Sequence, residues 1–357
     1  MLMSLINRKK TRKIYVGNVA VGGGETISVQ SMTKTDTRNV QATVEQIRHL
    51  ESAGCEIIRL AVPDLDAARA LGLIKKDVTI PIIADIHFDW RLALEALAQG
   101  VDGLRLNPGN IGSPWKIKEV VLAASERSVP IRIGVNAGSL DKTLLEKYGH
   151  PTPEALVESA EDHIKILEDL HFQNIKVSLK ASNVTKTVEA YRLFSEKYDY
   201  PLHVGISEAG PPFSGIIKSS VGVGILLAEG IGDTVRISLT SESAEEVRVA
   251  YEILKSLGLR RRGPEMISCP TCGRCCIDLK PLAQKVEDAL KDIKEPISVA
   301  VMGCVVNGPG EAREADFGIA GGKGMGLVFK KGEVIGQVKE GELLEALMKL
   351  INETSKT

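Results

Sequence analysis

The chain has no run of about 18 consecutive apolar residues, the length a membrane-spanning helix needs, so no segment reads as a span. It also lacks an excess of either charge: 45 Lys and Arg stand against 46 Asp and Glu, a formal net charge of -1. Nucleic-acid binders usually carry an evident basic excess, and that class is set aside. Any anion binding has to come from local placement of Arg and Lys. The N-terminus, MLMSLINRKKTRK, is basic but has neither the apolar core nor the small-residue cleavage site of a secretory signal. A cytoplasmic location is the expectation. Cysteine is scarce, six residues in 357, and in a reducing cytosol clustered thiols are more often metal ligands than disulfides. No phosphate loop or dinucleotide fingerprint follows an apolar run. GNVAVGGG (17–24) and IAGGKGMG (319–326) are too weak and wrongly placed to count.

What is present is alternation. Short β-branched runs occupy 27–33, 56–62, 81–87, 103–109, 130–138, 175–181, 201–207 and 234–240. Between them lie amphipathic stretches such as VQATVEQIRHLESAG (40–54) and PEALVESAEDHIKILEDL (153–170), with apolar residues at three- and four-residue spacing. Eight strand–helix units predict an α/β fold, a (β/α)8 TIM barrel over residues 1–260, with a β-hairpin at 13–24 closing its bottom. Periodicity cannot show closure, so an open doubly wound sheet stays as the alternative. GLRRRGPEMIS (258–268) reads as a linker. A smaller α+β domain over 261–357 follows: a helix, a strand, a Gly-rich loop, further small strands and a last helix.

Residues two apart on a strand look the same way. Arg105 and Asn107 therefore oppose Leu104 and Leu106, and Arg132 and Asn136 oppose Ile131, Ile133 and Val135. Ser178 and Lys180 oppose Val177 and Leu179, Arg236 and Ser238 oppose Ile237, and Asp85 and His87 oppose Ala84 and Ile86. The apolar faces are expected to pack on the outer helices. The polar faces then point inward, toward the mouth where barrel active sites lie. Arg59, Arg105, Arg132, Lys180 and Arg236 outnumber the inward acids, Asp85 and Glu208. Unpaired buried charge is expensive, so an anionic ligand is expected, and Arg forks match phosphate oxygens.

Four of the six cysteines fall in SCPTCGRCC (268–276). Cys269 and Cys272 form a CxxC after a linker, which is the wrong context for a thioredoxin-like pair. With Cys304 and either Cys275 or Cys276 they meet the count of a closed zinc site, and spacing alone leaves zinc and iron–sulfur open. MGCVVNGPGEA places Cys304 at a strand end before a Gly-rich loop that ends at Glu311. Three thiolates and that carboxylate would hold a [4Fe–4S] cube with one exchangeable iron. Otherwise Glu311 is a solvated loop residue.

ADIHFD (84–89), LRLNPGN (104–110), RIGVNAGS (132–139), SLKASN (178–183), SEAGPPFSG (207–215), SCPTCGR (268–274) and VMGCVVNGPGEA (301–312) resemble the 4-hydroxy-3-methylbut-2-enyl diphosphate synthase family. These are iron–sulfur enzymes of the methylerythritol phosphate route to isoprenoids, and the resemblance runs over nearly the whole chain in its two-domain bacterial form. It implies reductive ring opening of a cyclic diphosphate, with single electrons from flavodoxin or ferredoxin. By motif, it implies cluster ligands at Cys269, Cys272, Cys304 and Glu311. Diphosphate contacts are implied at Arg59, Arg105, Arg132, Lys180 and Ser238, with Asp85, His87, Asn107, Asn136 and Asn307 lining the site. Glu208 matches a proton donor, and Cys275 and Cys276 fall where the pattern requires no cysteine. The family implies a homodimer whose active site is shared between subunits. The rival expectation is a phosphate-binding barrel synthase with a structural zinc module, similar in its barrel to pterin-diphosphate-using synthases.

Overall fold

The computed structural model describes residues 6–291, 293–304, 310 and 313–354. The chain divides into two compact units, Met1–Arg260 and Arg261–Thr357. Among the described residues no helix is long and apolar enough to cross a membrane.

In the first unit, β1 (Ile14–Val16) and β2 (Val19–Val21) form an antiparallel hairpin. Eight parallel strands follow: β3 (Ser28–Met32), β4 (Ile57–Ala61), β5 (Ile82–Asp85), β6 (Gly103–Leu106), β7 (Ile131–Asn136), β8 (Ile175–Lys180), β9 (His203–Val204) and β10 (Thr234–Val235). Their order is β8-β7-β6-β5-β4-β3-β10-β9. A parallel bridge between Val177 and Leu202, with the Val177 N–H donating to the Pro201 carbonyl at 2.9 Å, joins the two ends. That join makes a barrel and removes the open-sheet alternative. β9 and β10 are shorter than the apolar runs that announced them. Beyond them the inter-strand bonding continues irregularly, as in Arg236 N–H to the Val204 carbonyl at 3.1 Å.

The helices have identifiable starts and stops. Val40–Ala53 begins with the Asn39 side chain accepting from the Ala42 N–H and ends at Gly54, whose φ of 107° suits a residue without Cβ. Pro153–Glu168 begins with Thr152 accepting from Ala155 N–H and Pro at its first position. Their apolar stripes, including Val44, Ile47 and Leu50, pack against the outward strand residues Ile58, Leu60, Ile82, Ile131, Ile133 and Val177, all buried. Each such side chain contributes about 1.5–3 kcal/mol on burial. The hairpin residues Ile14, Val16 and Val21 cluster with the inward Ile57 and Ile83, so one side of the barrel floor is sealed by apolar packing.

The second unit is a five-stranded sheet in sequence order: β11 (Glu265–Ser268), β12 (Ser298–Met302), β13 (Phe317–Gly321), β14 (Met325–Lys330) and β15 (Glu333–Lys339). β11 to β13 pair parallel, and β13 to β15 pair antiparallel. Helices Leu279–Leu290 and Leu343–Thr354 cover one face through Leu279, Val286, Leu343, Leu347 and Ile351. The stretch read as a linker contains β11. As an edge strand with mostly exposed side chains it has no apolar alternation to reveal it.

Candidate functional site

Ten of the predicted residues line one cavity of about 750 Å³ at the C-terminal ends of the barrel strands: Arg59, Asp85, His87, Arg105, Asn107, Arg132, Asn136, Lys180, Glu208 and Ser238. Arg236 lines it as well. Arg59, Asp85, Arg105, Arg132, Asn136 and Lys180 are there because each sits on the inward side of a strand whose outward side is core, while His87, Asn107, Glu208 and Ser238 follow the strand ends.

Asp85 organises the cations. Its Oδ1 accepts from Arg105 Nη1 at 3.0 Å, and its Oδ2 lies 3.4 Å from Arg59 Nε. His87 Nε2 stands 3.7 Å from the same carboxylate and 3.4 Å from Arg105 Nη1, with its ring largely exposed at the cavity rim. Burial alone would raise the Asp85 carboxyl. Arg59, Arg105, Arg132 and His87 outweigh burial and hold it below the usual range. One carboxylate cannot satisfy all these donors. Arg132 is buried at 3% exposure, and its Nε and Nη1 have no hydrogen-bond partner among the described residues. Arg105 Nε, Arg236 Nε and Asn107 Oδ1 are likewise buried and unpartnered. Burial, reinforced by the neighbouring cations, pushes Arg132 and Lys180 well below their ordinary values. Arg59 is lowered to about 10, first by burial and then by Arg236 and Arg105 against the pull of Asp85. Arg59, Arg132 and Lys180, each lowered by burial and then by neighbouring cations, make a setting that favours an anion.

Two glycines make room for this set. A Cβ on Gly134 would lie 2.6 Å from Arg105 Nε, and one on Gly205 would lie 2.8 Å from Lys180 Nζ. Sequence reasoning missed both, because nothing in a strand pattern says which inward position must be empty. It also missed Glu246, buried on helix Ser243–Ser256, where Oε1 accepts from Leu239 N–H at 3.0 Å and Oε2 lies 4.0 Å from Arg236. Lys176 was missed too, although strand parity puts it on the face of Ser178 and Lys180. Glu208 differs from its expected inward placement. It is exposed at the rim with φ 51°, a left-handed conformation costly for a non-glycine residue.

In the second unit, Cys269 N–H donates to the Val301 carbonyl at 3.3 Å, and Cys276 N–H donates to the Gly303 carbonyl at 2.9 Å. These bonds stitch the CxxC loop to the end of β12, next to Cys304. A Cβ on Gly303 would lie 3.4 Å from Cys269 Sγ and 2.5 Å from Cys275 Sγ, so the glycine keeps a sulfur-lined cradle open. The described donors, Cys269, Cys272 and Cys304, are soft thiols in no disulfide, and they fit an iron–sulfur group. Among the described residues no three His, Cys, Asp or Glu gather closely enough to hold a single ion. Asn307 and Glu311 lie outside the described residues. Cys275 and Cys276 donate locally, to the carbonyls of Ile277 and Arg274 at 3.3 Å each.

Fold and site together define a two-domain α/β-barrel protein with a cation-rich mouth and a separate thiol-bearing domain. The sequence matches the GcpE TIM-barrel domain over residues 11–251 and the GcpE protein C-terminal domain over 265–353. The chain belongs to the GcpE family. It is 65% identical to a Thermodesulfovibrio yellowstonii protein across 97% of this chain and 99% of that one. It is 63% identical to one from Geobacter sulfurreducens across 96% and 97%. Both relatives are named 4-hydroxy-3-methylbut-2-en-1-yl diphosphate synthase (flavodoxin). Among solved structures it is similar to N-acetylneuraminic acid synthetase from Leptospira borgpetersenii serovar Hardjo-bovis, with TM-score 0.51 and 14% identity over 71% of this chain and 92% of that one. It is also similar to Yersinia pestis dihydropteroate synthase, with TM-score 0.50 and 12% identity over 69% and 98%. At such identities the likeness shows the barrel fold alone.

Proposed function

We propose that the chain forms 4-hydroxy-3-methylbut-2-enyl diphosphate by reductive ring opening of 2-C-methyl-D-erythritol 2,4-cyclodiphosphate. Two electrons and two protons enter and one water leaves. The observation that carries this reading is buried Arg132, with two guanidinium nitrogens unpartnered among the described residues, inside a cavity lined by five Arg and Lys side chains and few acids. A cyclic diphosphate brings two fixed negative charges and enough oxygen acceptors for those donors.

Arg59, Arg105, Arg132, Lys180 and Ser238 hold the diphosphate, while Asp85 fixes the Arg59 and Arg105 forks. Asn107, Asn136 and His87 orient the carbon skeleton toward the opening, and Glu208 at the rim supplies a proton to the departing oxygen. Cys269, Cys272, Cys304 and Glu311 would hold a [4Fe–4S] cluster, with Asn307 between Cys304 and Glu311 in the sequence. When bound, that group supplies single-electron transfer and Lewis-acid chemistry. The electron donor is a flavodoxin or ferredoxin. The working form is a cytoplasmic homodimer with the active site shared between subunits.

The test is colour and turnover. Anaerobically purified protein should be brown, bleach on reduction, and convert the cyclodiphosphate with reduced flavodoxin. Colourless protein carrying stoichiometric zinc would instead favour a barrel synthase with a structural zinc module.

A further inference from the structure

Below the cavity the barrel holds a buried lysine that the proposed chemistry does not use. Lys176 lies on β8, two positions deeper than Ser178, and pairs in register with Arg132 of β7. It is 1% exposed, and its Nζ has no hydrogen-bond partner among the described residues. The charged and titratable groups that face it are Arg132, Lys180 beyond it on β8, Arg59 on β4, His203 on β9 and Asp233 just before β10. Asp233 is already engaged. Its Oδ1 accepts from Arg8 Nη2 at 3.0 Å and Thr11 Oγ1 at 3.1 Å, and its Oδ2 accepts from Leu202 N–H at 2.9 Å. The floor on this side is polar, with His203 Nε2, Ser28 Oγ and the Gln30 amide also unpartnered, as groups that hold ordered water are.

A charged ammonium with no acceptor among the described residues, beside the Arg132 and Arg59 guanidiniums, is electrostatically costly. We propose that above pH 7 Lys176 is mainly a neutral amine in the ligand-free barrel and takes a proton from solvent when a diphosphate fills the cavity above it. It acts as a positioning residue, adding a compensating charge without touching the ligand. Burial, then Arg132, pushes the Lys176 ammonium down to about 7, with Asp233 opposing. Two negative charges in the cavity offset the Arg132 and Arg59 charges that add to the effect of burial. Lys180, which lines the cavity and is lowered for the same reasons, charges alongside it. The inference rests on the reading of the cavity as a diphosphate site.

The test titrates the anaerobic holoenzyme with P1,P2-dimethyl diphosphate, a diester whose two charges do not change near neutrality. Calorimetry at pH 8 in buffers of different ionisation heat counts the protons. Wild type should take up more than one proton, and Lys176→Met about one fewer. The wild-type affinity advantage over Lys176→Met should shrink about tenfold per pH unit above 7. Lys176→Arg, charged throughout, should keep the affinity and flatten its pH dependence. Equal uptake in wild type and Lys176→Met overturns the inference and leaves the diphosphate reading standing. If Lys176→Met does not fold, wild-type uptake of one proton or fewer overturns it. Failure of wild type to bind the diester overturns both readings.

Discussion

The barrel mouth and the thiol cradle are built on opposite plans. In the barrel Arg105, Arg132 and Lys180 leave hydrogen-bonded strands whose other faces are core, so the backbone sets their positions. In the second unit Cys269 and Cys272 sit in a loop and Cys304 just past a strand end, all at least partly exposed. The first plan holds buried donors without partners among the described residues, which an anion would satisfy. The second has donors whose arrangement a bound group would complete. Cysteine marks the same divide. Cys55, the only one in the barrel unit, is buried and its thiol is pushed up to about 12, which leaves it unreactive, while the other five all lie in the second unit.

The comparison breaks most visibly at Cys304. Cys304→Ser should remove the visible absorption and the activity together, while the barrel still binds a diphosphate diester. Retention of the full spectrum would exclude Cys304 as a ligand. Next in size is Leu50, fully buried between helix and barrel. Leu50→Ala should cost about 2–5 kcal/mol in denaturant unfolding.

pH sharpens the contrast further. Lys176 has a folded-state pKa of about 7 against an ordinary value of 10.5. Between those values the unfolded chain binds the extra proton, so stability rises with pH across that window. Wild type should therefore gain on Lys176→Met by a few kcal/mol, roughly, from pH 7 to 10.5 as followed by urea unfolding. A constant difference would mean that Lys176 stays charged. Arg132→Ala should raise KM about tenfold to a hundredfold, the worth of one or two charge-assisted hydrogen bonds. The absorption spectrum should not change. The smallest effect belongs to the helix cap, where Asn39→Ala should cost about 1 kcal/mol in the same unfolding assay.

Strand parity explains why so much of the mouth was legible. A polar residue flanked by Ile, Val and Leu on a parallel strand has one place to go, and Arg105, Arg132 and Lys180 went there. Parity also covered Lys176, but depth along a strand is invisible until register is known. Glu246 comes from a helix, where one acid beside Val247 and Ala250 gives no sign that it reaches Leu239 N–H and the vicinity of Arg236. Gly134 and Gly205 are required by neighbours distant in sequence, a tertiary fact. The edge strand β11 escaped because its exposed side chains carry no period.

The central claim is that strand-borne cations, independently of the thiol domain, hold the diphosphate. Its most direct test is the dissociation constant of 2-C-methyl-D-erythritol 2,4-cyclodiphosphate for Cys304→Ser and Arg132→Ala, measured side by side. Cys304→Ser should bind within about threefold of wild type and Arg132→Ala at least about tenfold more weakly. Wild-type affinity in Arg132→Ala, with binding lost in Cys304→Ser, would contradict that claim.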